Sequence, residues 1–92
     1  ERGAASATGE RGAASATGWR GAASATGKDS VALATGFGGR ALACSGSAIV
    51  LCYRNDDGSI RHVRSGIAGR DGIKADTWYA LGEDGDFVEV EA

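Results

Sequence analysis

Residues 1–9 read ERGAASATG, residues 10–18 repeat them without change, and residues 19–27 differ only in opening on Trp19 in place of Glu. A strict period of nine ending on Gly describes a stack of small units, none of which can bury a core alone. Such a chain has to fold by laying each unit on its neighbours. That points to a structural or assembly role. Surface positions of natural repeats drift, so copies this alike look like a consensus-style or engineered array with one substitution at Trp19.

The period extends past the obvious copies, through Lys28–Gly36 (KDSVALATG) and Phe37–Ser45 (FGGRALACS). The fifth column is then Ala5, Ala14, Ala23, Ala32 and Ala41, and the seventh is Ala7, Ala16, Ala25, Ala34 and Ala43. Positions two apart share a face of a β-strand. One face is therefore all Ala, and only Ala suits an interior where facing strands approach closely. The sixth column, on the other face, drifts from Ser6, Ser15 and Ser24 to Leu33 and Leu42. The fourth passes from Ala4, Ala13 and Ala22 to Val31 and Arg40. The ninth-column Gly, followed in most copies by another at the third, is expected to supply the corners. One strand and one corner per nine residues predicts eighteen residues per full coil.

A helix is the competing fold, since Ala is the best helix former. Two or three Gly per nine residues would each cost about 1 kcal/mol in a helix interior. A flexible Gly/Ala/Ser linker fits the composition, but a linker has no reason to keep Ala in register. The expected fold class is all-β: a β-solenoid of nonapeptide repeats over residues 1–45 and a small antiparallel β capping module over residues 46–92.

In the second part, Ser47–Tyr53 is a continuous apolar run typical of a buried strand. Arg54–Ser59 reads as a turn, Ile60–Arg64 as a returning strand, and Gly66–Gly72 as a loop. Thr77–Leu81 and Phe87–Glu91 read as two more strands around Gly82–Gly85. The Asp-Gly pairs at 57–58 and 84–85 are hairpin signals. Most of the large apolar side chains lie here, among them Ile49, Leu51, Tyr53, Trp78, Tyr79 and Phe87.

Lys28–Gly36, followed by Ile73–Tyr79 (IKADTWY) and Phe87–Val90 (FVEV), resembles the C-terminal region of bacterial and phage-associated nonapeptide-repeat proteins. Those carry GxxSAAxxTG-type runs before a strand-rich end with D-T-W-Y and F-V-E-V. The resemblance covers nearly the whole chain and implies a β-solenoid architecture, but no activity. Ser30-Val-Ala-Leu33 is more distantly similar to the tight β-rolls of trimeric adhesin heads.

The chemistry of the sequence is sparse. Ten basic and twelve acidic residues give a net charge of -2, which offers no case for nucleic acid or an anionic membrane. No apolar run approaches the roughly 18 residues of a transmembrane helix, and the start lacks the charged and apolar regions of a signal peptide. The chain contains no Met, so it is expected to be processed or incomplete at its start. Cys44 and Cys52 fit no zinc spacing and are expected to act as small buried hydrophobes rather than as a disulfide. His62 is the lone histidine, and pairing it with Cys44 or Cys52 as base and nucleophile is disfavoured because an apolar setting raises a thiol's pKa. Asn55–Gly58 and Glu83–Asp86 lack the spaced ligands of a calcium loop. No cofactor and no metal is expected.

Two functions remain. The first is a self-assembling structural scaffold without catalysis, a homo-oligomer or fibre. It would associate through an uncapped N-terminal edge or side by side through Val31, Leu33 and Leu42. The second is a binding module, either an adhesin-like tip using Trp78 and Tyr79 with Arg70, or an ice-binding face built on the eighth-column Thr residues.

Overall fold

The computed structural model describes residues 4–70 and 72–91. Among them it is all-β, with nine strands and no helix. Five four-residue strands come first: β1 (Ala4–Ala7), β2 (Ala13–Ala16), β3 (Ala22–Ala25), β4 (Val31–Ala34) and β5 (Arg40–Ala43). Longer strands β6 (Ala48–Arg54) and β7 (Ile60–Ile67) follow, then short strands β8 (Tyr79–Leu81) and β9 (Phe87–Glu89).

Consecutive strands of the repeat alternate between two mixed sheets. One runs β1-β3-β5-β8-β9 and the other β2-β4-β6-β7. The repeat strands pair in parallel with partners eighteen residues apart: Ala4 on Ala22, Ala13 on Val31, Ala22 on Arg40. Ala and Ser have little intrinsic strand preference, so pairing and burial decide the conformation here. The next step, β4 to β6, pairs Val31 with Ala48, seventeen residues apart. The corner between β5 and β6 is one residue shorter than those before it. The ladder therefore crosses the boundary expected at residue 45, and β6 carries Ile49 and Leu51 where earlier strands carry the two alanines.

Those two columns face inward. Ala14, Ala16, Ala23, Ala25, Ala32, Ala34, Ala41 and Ala43 are buried and form one cluster with Ile49, Leu51, Ala68, Ile73, Tyr79 and Leu81. The alanine interior and the large side chains of the second half are one core.

The corners work differently from the sequence expectation. The left-handed residue is not a Gly of the ninth or third column but the second-column residue: Arg11 (φ 57°), Arg20 (φ 56°), Asp29 (φ 55°) and Gly38 (φ 62°). The ninth-column glycines are needed for close approach instead. A Cβ on Gly27 would run into the backbone of Gly9, and one on Gly36 into that of Gly18, each in the corner stacked beside it.

At the other end the pairing reverses. β7 lies antiparallel on β6, and β8 antiparallel on β5 with β9 beyond it. β7 reaches Ile67, past the expected end at Arg64 and into the expected loop. Gly66 can continue the strand because the Ile73 side chain fills the space its own side chain would take. β8 starts at Tyr79 rather than Thr77, and β9 stops at Glu89 rather than Glu91. The two Asp-Gly turns are alike. Gly58 (φ 91°) and Gly85 (φ 88°) are left-handed. Asp57 and Asp84 each accept the backbone N–H two residues on, at 2.9 and 3.1 Å.

Candidate functional site

Because strands eighteen residues apart pair and consecutive strands belong to different sheets, alternate corners lie at opposite edges. One edge carries residues 8–12, 26–30 and 44–47; the other carries 17–21 and 35–39. The Thr column divides accordingly, Thr8 and Thr26 on one edge and Thr17 and Thr35 on the other. The eighth-column Thr residues therefore form two separate pairs rather than one rank.

On the first edge the third column changes from Gly12 to the buried Ser30 and Ser47. Ser30 Oγ donates to the Gly27 carbonyl at 2.6 Å, and Ser47 Oγ donates to the same oxygen at 3.0 Å. The Ser30 N–H donates to Ser47 Oγ at 3.0 Å. Cys44 lies 3.3 Å from Ser47 Oγ. These hydroxyls satisfy backbone groups at a tight corner and leave nothing aimed at a ligand. Cys44 and Cys52 are free thiols, each half-buried rather than fully buried. Cys52 pairs with Val63, and Tyr53 with His62, so the Cys52 and His62 side chains point to opposite faces of the sheet. They form no dyad. His62 Nε2 instead lies 3.0 Å from the Glu83 carbonyl, against the β8–β9 turn.

The sequence-derived interface residues do not come together. Val31 and Leu33 lie on β4 in the four-stranded sheet, whereas Leu42 lies on β5 in the other. The single apolar face expected from Val31, Leu33 and Leu42 is therefore split between two sides of the molecule, because successive repeats belong to different sheets. Leu33 instead joins Val50, its direct cross-strand partner, and lies near Cys52 and Val63 on the outer face of the four-stranded sheet. Tyr79 is a core residue, 4% exposed, whose hydroxyl accepts the Lys74 N–H at 2.8 Å. Its ring meets Phe87 edge-on at 6.1 Å. Trp78 is half-buried.

A hollow of about 560 Å³ beside Tyr79 is lined by Arg64, Ile73, Phe87 and Glu89. Its charged groups are already engaged. Arg64 donates to the Gly85 carbonyl at 3.0 Å and lies over the Phe87 ring at 5.4 Å. Glu89 pairs with Lys74 at 3.0 Å, and that contact holds the Lys74 ammonium above its usual pKa, first through the hydrogen bond and then through charge.

The second edge is where the exposed aromatic residues gather. Trp19 and Phe37 occupy the first column eighteen residues apart, and the Arg20 N–H donates to the Phe37 carbonyl at 2.6 Å, fixing the two corners together. Trp19 is 59% exposed and Phe37 36%. A groove of about 310 Å³ runs between them and Tyr53, Arg54, Asp56 and Leu81. Period-nine reasoning treated Trp19 as an isolated corner substitution. The signal that could have found the pair is the eighteen-residue spacing, which places Phe37 directly beside it.

The remaining candidate surface is the β1–β2 end. β1 and β2 are the outermost strands of their sheets. The Ala7 carbonyl accepts the Thr26 N–H at 2.9 Å, and the Ala16 carbonyl accepts that of Thr35 at 3.2 Å. Alternate residues of a parallel strand face the same neighbour. The backbone N–H and C=O of Ser6 and Ser15 therefore point away from the ladder. No protein-family model, curated protein or solved structure matches the chain.

Proposed function

We propose that the chain is a β-solenoid with eighteen residues per coil, acting as a non-enzymatic structural unit that self-associates through its β1–β2 end. The eighteen-residue register and the strict alternation between two sheets support the solenoid. The observation that carries self-association is the contrast between the two ends. β1 and β2 present outward backbone groups at the end of two parallel ladders, whereas the outermost strands at the far end, β7 and β9, are antiparallel to their neighbours. Unpaired strand edges invite another chain. The two ends are unlike, so the self-complementary contact is β1–β2 against β1–β2 of a second copy. A two-fold contact of that kind closes as a dimer rather than growing as a fibre.

Light scattering over a concentration series tests this. The full chain is expected to approach twice its single-chain mass as concentration rises. A Ser6→Pro/Ser15→Pro variant removes only outward N–H groups and is expected to stay single with an unchanged far-UV spectrum. A Ser6→Lys/Ser15→Lys variant, which gates the edge with charge, is expected to do the same. A chain that stays single at every concentration, or folded variants that still associate, would overturn the proposal. The latter result would direct attention to the Leu33–Val50 face.

A further inference from the structure

We propose that the groove on the Trp19–Phe37 edge is a binding site for a neutral saccharide, with the Trp19 indole as its stacking platform. This goes beyond the self-association reading and concerns a different surface.

Four observations support it. The first is the aromatic strip. Trp19 and Phe37 sit in adjacent corners, about 4.8 Å apart along the stack as neighbouring strands require, and both rings are open to solvent. An aromatic face carries negative charge density. It attracts the weakly positive C–H hydrogens that cover the apolar face of a pyranose ring.

The second is pre-ordering. The Arg20 guanidinium lies 5.9 Å from the Trp19 ring centre. That contact restrains the indole and reduces the ordering cost of binding.

The third is the balance of polar groups. Arg20 can donate hydrogen bonds, the Asp56 carboxylate can accept them, and the Tyr53 hydroxyl can do either. Sugar hydroxyls need both.

The fourth is charge. The groove sets the Asp56 carboxylate among Arg20 and Arg54, so its lining is of mixed sign. Arg54 has also committed its Nε to the Thr35 carbonyl at 2.7 Å and its Nη1 to the Gly58 carbonyl at 2.8 Å. Of the two arginines, Arg20 alone leaves its guanidinium for an anionic ligand, and the Asp56 carboxylate in the same groove opposes it. The groove volume of about 310 Å³ lies at the small end of the range for ligand sites. It suits one or two sugar rings, with the strip beyond it open at the surface.

The experiment is a titration of the full chain with cellohexaose, maltoheptaose and chitohexaose, followed by calorimetry and by Trp fluorescence. The fluorescence uses a Trp78→Phe version in which Trp19 is the only indole. At least one probe is expected to give a saturable response. Trp19→Ala should weaken it by about tenfold or more, and Asp56→Asn by a few-fold, with little dependence on salt. Trp19 is largely exposed, so its loss leaves the fold intact, and an unchanged melting curve verifies that. Silence from all three probes up to about 10 mM would overturn the proposal. So would retention of binding in Trp19→Ala. Tighter binding of a heparin hexasaccharide would identify an anion site instead, and preferential binding of a proline decapeptide would identify a peptide groove.

Discussion

Asp29 holds φ at 55°, where an L-residue meets its own carbonyl, as do Arg11 and Arg20 in the copies before it. The fifth copy relieves this position with Gly38, at φ 62°. The left-handed conformation costs a non-Gly residue about 1–2 kcal/mol, and Gly gives part of that back through a freer unfolded chain. Asp29→Gly is therefore expected to stabilise the protein by up to about 1 kcal/mol in chemical denaturation. No change, or a loss, would mean that the Asp29 side chain contributes something its conformation does not reveal. The column was not legible in sequence because Arg is no marker of this conformation, and only Gly38 hinted at it. A second residue-scale effect sits in the β6–β7 turn. The Ser59 hydroxyl, and then its backbone N–H, hold the Asp57 carboxyl below its usual value of 3.8. A depressed carboxylate pKa contributes stability above its unfolded value and loses it as pH falls through the folded one. The turn is expected to loosen below about pH 4. In Ser59→Ala the Asp57 titration, followed by NMR, should move up toward the ordinary carboxylate value. An unmoved titration would rule out the hydroxyl as its cause.

At the level of strands and corners, the alanine columns were legible because side chains on a strand alternate with period two, and the eighteen-residue spacing of paired strands followed from the nine-residue repeat. The end of the repeat was not. Deleting one corner residue before Ser47 shifts every later column by one, so β6 escaped the nine-residue count while keeping its place on β4. β7 was read short for a related reason: Gly66 looked like a loop signal but serves packing against Ile73. The ninth-column glycines give a direct test of stacking. Gly27 and Gly36 lie tightly against the corners before them, whereas a Cβ on Gly9 would meet nothing within 4 Å. None of the three has a left-handed φ. Gly27→Ala and Gly36→Ala should each cost about 1–3 kcal/mol through overpacking, while Gly9→Ala should be near neutral. Equal effects at all three positions in thermal melts would contradict the stacked arrangement. The groove was half legible for the same geometric reason. Trp19 stood out within its repeat, but its neighbours Phe37, Tyr53 and Arg54 are brought to it only by the eighteen-residue strand register and by the pairing of β6 on β4, which the nine-residue count did not foresee.

Across the whole molecule the interior grows from small to large. Alanines line β1 to β5, and then Ile49 and Leu51 meet Ile73, Tyr79 and Leu81. Burial is worth about 25 cal/mol per Å² of apolar surface, so each added pair of Ala strands contributes little and the large side chains near β6 anchor the stack. Truncating one anchor should therefore be felt far away. Leu51 is fully buried, and Leu51→Ala is expected to cost about 2–5 kcal/mol, a large part of the ~5–15 kcal/mol that a domain of this kind possesses. Because the buried residues form a single cluster, that loss should lower the melting of the repeats and of the C-terminal strands together. Hydrogen exchange distinguishes this from two independent units. In the parent chain, protection should be greatest in β4 to β6 and fall toward β1 and β2. In Leu51→Ala it should drop throughout, including Ala23 and Ala25, which lie two strands from the substitution. Repeat amides that kept their protection while β6 and β7 lost theirs would show that the alanine stack folds without its anchor.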